Sequence, residues 1–184
     1  MKIGNFIADH VKGRSYRNYA IDVQKGILLH RQIDSFTDND PLFKRSKSRL
    51  DNRYGLYRGV VIDIFYDHML AKNWDSYSDV PLSRYSREFY ETLLTNYDIL
   101  PEKVQHLTRY MIGQDWLSSY ADMEGIQRVL EGMDRRTQGR SGMQRAGEDL
   151  RENYREFEID FHEFFKKLCT FSAEKLTEIT DQFS

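Results

Sequence analysis

Three polar islands stand inside otherwise apolar segments of this chain, and their residue types suit metal-assisted or acid–base chemistry. His30 and Asp34 lie four apart in ILLHRQIDSF, so on a helix both project from one face. Asp63 and Asp67 are also four apart, in VVIDIFYDHML, with His68 following directly. Asp9 sits in NFIADHV. A carboxylate among Val, Ile and Phe is costly to bury unless it is paired or bound to a cation. Imidazole nitrogen with carboxylate oxygen suits Mn²⁺, Fe²⁺, Zn²⁺ or Mg²⁺, and several carboxylates favour the harder ions. Such an ion can orient a phosphate and activate a water. For each pair alone, the competing reading is structural: Asp34 or Asp67 bridged to Arg31 or Arg58, and His68 a satisfied core residue. Taken together, the three islands favour one shared metal site drawn from His30, Asp34, Asp63, Asp67 and His68. Asp9 is then either a ligand or the group that orients the attacking water, and Asp63 and Asp67 are candidate catalytic carboxylates.

The elements that must carry these residues read as helices. Ile21, Leu28 and Ile33 fall in a helical stretch from about Asn18 to Phe36. Asp40-Pro41 is a cap-then-proline start for a second helix to about Leu50. Tyr57, Val60, Val61, Ile64, Phe65, His68 and Met69 mark a buried third. Pro81 and Pro101 each open another, and Ile126, Val129, Leu130 and Met133 give one more. Arg135–Gly147, rich in Gly and Arg, reads as a loop. The run from Leu150 through Phe157, Phe161, Phe164 and Phe165 to Phe171 reads as one long helix with an aromatic core stripe. Strand signals are scarce, and no repeat or linker is evident. The expectation is an all-α fold, a single-domain helical bundle over residues 1–184.

Composition narrows the function. The chain has 184 residues, 40% hydrophobic and 30% charged, which suits a folded domain with a real core. Val60–Leu70 is interrupted by Asp63, Asp67 and His68, so no membrane span or insertion is expected, and the N-terminus carries no signal-peptide pattern. Cys169, the only cysteine, excludes an intrachain disulfide, suits a cytoplasmic setting and reads as core or half-buried. No G-x-S-x-G, P-loop or dinucleotide fingerprint occurs.

Charge is unevenly distributed. Residues 1–60 hold 12 Lys and Arg against 6 Asp and Glu, and residues 61–184 hold 15 against 23. That asymmetry fits either pairing within the molecule or a basic surface for an acidic protein partner. With a pI near 6.2 and no recognisable motif, nucleic acid is not expected as a partner.

Four segments carry a family resemblance: IGNFIADHVKG, GILLHRQIDSFTDNDP, VVIDIFYDHMLAKNW and DWLSSYADMEGIQRVLEGM. In this order and spacing they closely resemble the bacterial acyl carrier protein phosphodiesterase family, over nearly the whole chain. The resemblance implies hydrolysis of the phosphodiester that joins 4′-phosphopantetheine to a serine of holo-acyl carrier protein, leaving the apo protein. It also implies a divalent cation, Mn²⁺ first with Mg²⁺ or Fe²⁺ as alternatives, and an all-helical fold related to the HD phosphohydrolases. Here the order is Asp67-His68, so the usual His-Asp signature is not literally present. Family members begin with a further segment containing a Leu-Ala-His element, which is expected to lie outside this sequence.

An acidic carrier protein requires a basic landing surface. Arg31 is the candidate for the phosphate, and Lys12, Arg14, Arg17, Lys44, Arg45, Lys47, Arg135, Arg136 and Arg140 are candidates for the protein. Two alternatives share these features. One is an HD-type phosphohydrolase acting on a small nucleotide or other diester; the other is a non-catalytic carrier-protein-binding module.

Overall fold

A computed structural model describes residues 1–183 and is all-α, with no strand among the described residues. Ten α-helices follow in chain order: α1 Lys2–Ile7, α2 Ile21–Asn39, α3 Pro41–Arg49, α4 Arg58–Lys72, α5 Leu82–Thr95, α6 Glu102–Gly113, α7 Trp116–Ser119, α8 Met123–Arg136, α9 Ala146–Glu152 and α10 Tyr154–Asp181. Short 3-10 turns join several of them.

The helix boundaries have local causes. Asp40 caps α3: its carboxylate accepts from the backbone N–H of Leu42 at 2.7 Å and of Phe43 at 3.4 Å, and Pro41 occupies the first turn. Asp122 caps α8 in the same way through the N–H of Gly125 at 2.7 Å. The segment Arg135–Gly147, expected as a loop, is shorter than that. α8 runs to Arg136, and α9 begins at Ala146. Basic residues in a last helical turn complement the exposed carbonyls there, so Arg135 and Arg136 extend α8 rather than break it. The turn itself contains Gln138, Gly139 and Gly142 at positive φ. The expected single helix from Leu150 to Phe171 is two, α9 and α10, with the break at Asn153. Cys169 is exposed on α10, not half-buried.

Two compact units can be distinguished. The first comprises Met1–Asn39, Arg87–Gly113 and the chain from Phe165 onward; the second comprises Asp40–Ser86 and Gln114–Phe164. In the first, α1 lies along α2. Phe6 meets Phe89 edge-on at 5.4 Å, and Phe36 stacks on Phe171 at 4.4 Å. In the second, α4 is buried through Val61, Ile62, Ile64, Phe65, Tyr66, His68 and Met69. Its rings pack on the aromatic stripe of α10: Phe65 on Phe157 at 5.1 Å, and Tyr66 on Phe161 at 5.4 Å. Phe157, Phe161 and Phe164 are almost wholly buried, so the stripe is core.

Candidate metal centre

The placement of Asp9 depends on a close helix crossing. Gly4 of α1 and Gly26 of α2 lie back to back, and a Cβ on either would fall on the other helix's backbone. Only two glycines permit this approach. His30 and Asp34 follow Gly26 at intervals of four, so all three share one face of α2. Asp9 follows α1 in the 3-10 turn Ala8–His10 and is carried to that face.

There the His30 Nε2 lies 3.2 Å from the Asp9 Oδ1 and 3.1 Å from the Asp34 Oδ2. One donor atom from each of the three residues falls within a 4.8 Å span, a set that could hold a metal ion. The imidazole is about one-fifth exposed and both carboxylates are solvent-accessible, so the cluster opens to water. Its electrostatics are lopsided. The hydrogen bond from His30 holds the Asp9 carboxyl below the usual range, and the same bond raises the His30 imidazole. Asp34 is instead raised, first by desolvation, then by the nearby Asp9 and Asp38, against the opposing pull of His30. One imidazole thus serves two carboxylates and satisfies Asp9 better than Asp34. A divalent cation with one nitrogen and two carboxylate oxygens would relieve that crowding, and this donor set fits a hard or borderline ion.

Arg31 is engaged beside the cluster. Its Nη2 donates to the carbonyl of Val11 at 2.7 Å, and its guanidinium lies over the Tyr16 ring at 5.4 Å. It therefore clips the chain just after Asp9 onto α2. Lys12 and Arg14 follow in the same connection and are exposed.

The other predicted residues lie in the second unit. Asp63 and Asp67 project from α4 with solvent-exposed surface, and neither joins the Asp9 cluster. Desolvation pushes the Asp67 carboxyl up to about 7, with repulsion from Asp63 one turn away adding to it. His68, expected among the ligands, has both ring nitrogens engaged. The carbonyl of Tyr120 can only accept, so Nδ1 donates to it at 2.8 Å, and Nε2 accepts from the Tyr154 hydroxyl at 3.1 Å. The hydroxyl oxygen in turn accepts from the Lys72 ammonium at 2.9 Å. Burial lowers the His68 pKa, so the ring is a neutral core histidine. Arg135 and Arg136 are exposed at the end of α8, Arg135 3.9 Å from Glu131 and Arg136 over the Trp116 ring.

One polar island escaped notice in the sequence. Asp160, buried in the α10 aromatic stripe, is clamped by Arg45 and Arg49 and accepts from the Ser46 hydroxyl at 2.9 Å. Its guanidinium committed to that carboxylate, Arg45 serves the core before any landing surface. The sequence signal was there: an acid between Phe157 and Phe161, the same anomaly that picks out Asp34.

Comparison with known proteins supplies the remaining observation. The family model described as acyl carrier protein phosphodiesterase matches residues 1–168. The chain is 34% identical over 167 residues to the acyl carrier protein phosphodiesterase of Photorhabdus laumondii subsp. laumondii, covering 89% of this chain and 83% of that protein. It is 30% identical over 173 residues to the protein of that name from Escherichia coli O6:H1, covering 94% and 90%. For the one from Pectobacterium atrosepticum the identity is 29% over 167 residues, covering 90% and 86%. No solved structure matches.

Proposed function

The chain belongs to the acyl carrier protein phosphodiesterase family, and from that premise we propose that it hydrolyses the 4′-phosphopantetheine phosphodiester of holo-acyl carrier protein with a divalent cation held by Asp9, His30 and Asp34. Water adds to phosphorus as the bond to the carrier serine oxygen breaks. The serine recovers its proton, and phosphopantetheine leaves as a phosphate monoester. The observation that carries this reading is the meeting of His30 with two carboxylates on an open face of α2 in a chain of this family.

A bound divalent ion, Mn²⁺ by preference, would polarise the phosphoryl oxygens and make water a better nucleophile at neutral pH. The chain's own residues do the rest. Asp9 and Asp34 hold negative charge at fixed positions about the imidazole, and Arg31 keeps Asp9 in place through the Val11 carbonyl. Asp63 and Asp67, the candidate catalytic carboxylates read from the sequence, lie on α4 in the second unit and are assigned no step at this cation.

The test is intact-mass analysis of holo-acyl carrier protein incubated with the purified protein and Mn²⁺. Loss of the phosphopantetheine mass, suppressed by EDTA and by Asp34→Asn, is the expected result. Hydrolysis undiminished in EDTA would remove the cation from the reading, and an unchanged carrier mass with Mn²⁺ present would overturn the activity.

A further inference from the structure

Asp9 is the most exposed member of its cluster, its side chain 74% accessible against 51% for Asp34 and 20% for His30. It also stands outside regular helix, in the 3-10 turn Ala8–His10. Residues 11–20 carry the chain on from there to α2, and most of their side chains are exposed. The hydrogen bonds inside this connection are local. Ser15 N–H donates to the Lys12 carbonyl, Arg17 to Arg14 and Tyr19 to Tyr16, each at 3.1 Å. Bonds that span three residues curl a chain without fixing where the curl lies. A segment of this kind opens easily, and Asp9 would move with it.

Side chains of α2 place it instead. Arg31, next to His30, secures the near end through the Val11 carbonyl. Gln24 lies seven residues before Arg31, about two helical turns, so both project from one side of α2. Its Nε2 secures the far end, donating to the Tyr19 carbonyl at 2.8 Å and the Arg17 carbonyl at 3.4 Å. Between these two points the connection folds back on Arg31. The half-buried Tyr16 ring lies 5.4 Å from that guanidinium, and the Arg17 guanidinium lies 6.0 Å from the same ring. A planar guanidinium that rests its face on a ring and donates from its edge to a carbonyl has one orientation to keep. Tyr16 thus steadies Arg31, and Arg31 steadies the chain two residues after Asp9.

We propose that Tyr16 and Gln24 are positioning residues for Asp9: Tyr16 through Arg31, and Gln24 through the Tyr19 and Arg17 carbonyls, hold the connection along α2 so that the Asp9 carboxylate stays against His30 before a cation arrives. This rests on the cation site proposed above and adds what pre-orders its most exposed ligand. Both residues act at a remove, since their contacts are with Arg31 and with backbone carbonyls. Supports outside the ligand shell raise metal affinity because a ligand already in place loses little freedom on binding. All the residues involved fall within Met1–Asn39 of the first unit.

The experiment is titration of the full chain with Mn²⁺ followed by electron paramagnetic resonance, with no carrier protein present, so that affinity is read without turnover. Tyr16→Ala and Gln24→Ala each weaken Mn²⁺ binding about tenfold, the lower end of what loss of an outer support costs a metal site. Tyr16→Phe keeps the ring and retains wild-type affinity. Gln24→Met, near in size but without a donor, behaves as Gln24→Ala. In an Asp9→Asn background the two alanine substitutions cost less than about twofold, because the ligand they act through is already lost. Wild-type affinity in Tyr16→Ala and Gln24→Ala would overturn the proposal, and so would losses that persist undiminished beside Asp9→Asn. Absence of Mn²⁺ binding by the wild type would overturn the cation site alone. Positioning is then read without metal, from the ring-nitrogen resonances of His30 in EDTA at one fixed pH. Displacement of those resonances in Tyr16→Ala and Gln24→Ala toward their place in Asp9→Asn supports it, and wild-type resonances overturn it.

Discussion

His30 and His68 show how one residue type takes opposite roles within a single chain. His30 faces water and two carboxylates, and its hydrogen bond to Asp9 raises its pKa above the ordinary 6.5. His68 is buried between the Tyr120 carbonyl and the Tyr154 hydroxyl, and desolvation lowers it. The signs of the two linkages therefore differ. The His30 contribution to stability is fully present below pH 6.5 and is lost as pH rises through its raised folded value. The His68 contribution is present above 6.5 and is lost as pH falls toward its depressed folded value. A cation at the Asp9 cluster must displace the His30 proton, so its apparent affinity falls as the solution is acidified through the His30 pKa. Calorimetric titration with Mn²⁺ should show affinity dropping about tenfold per pH unit once His30 is protonated, as one displaced proton requires. In Asp9→Asn the His30 ring resonances should titrate closer to 6.5. An affinity flat between pH 5 and 8 would remove His30 from the ligand set.

At the scale of elements, what brings Asp9 to His30 is the α1–α2 crossing at Gly4 and Gly26. A methyl at residue 26 would collide with the Met1 carbonyl and the Asn5 backbone nitrogen, neither of which can swing aside. Gly26→Ala should cost about 1–3 kcal/mol, the usual penalty of overpacking. It should also weaken Mn²⁺ binding by more than that loss of stability explains, because α1 must lift away with Asp9. In contrast, Gly132→Ala in α8 meets only the flexible end of Arg135 and should stabilise by about 0.5–1 kcal/mol. Equal effects in a urea melt would show that the crossing is not special. The sequence announced the helices here but not their contact. Asp40-Pro41, Pro81 and Pro101 mark helix starts because capping and the proline ring act within one turn. The break at Asn153 has neither Gly nor Pro and interrupts a hydrophobic period that runs on across it, so nothing local reveals it. That His30 meets Asp9 rather than Asp63 is likewise a fact of tertiary packing, and periodicity along one helix carries no information about which helix lies opposite.

Over the whole molecule, chain order and compact units do not coincide. The first unit, which holds the Asp9 cluster, combines the first 39 residues with Arg87–Gly113 and the chain after Phe164. α10 contributes Tyr154–Phe164 to the second unit and its remainder to the first. Within the first unit that remainder supports α2: Phe171 stacks on Phe36, two residues beyond Asp34, and Lys25 lies over the Phe183 ring at 5.9 Å. Sequence patterning could not show this, because an aromatic stripe states that a helix is buried without stating against what. A chain ending at Phe164 therefore retains every proposed ligand yet lacks part of the packing that fixes them. It keeps Asp160 with Arg45 and Arg49, so the second unit's buried ion pairs remain available. Hydrogen exchange on the truncated chain should show α4 protected and α1 and α2 opened, with Mn²⁺ affinity reduced at least tenfold. The more conservative Phe171→Ala should move both readouts in the same direction by less, at about 1–3 kcal/mol for a half-buried ring removed from a stacked pair. Full-length affinity for Mn²⁺ in the truncated chain would show that α1 and α2 hold the site by themselves, and that the distant end of the sequence contributes nothing to it.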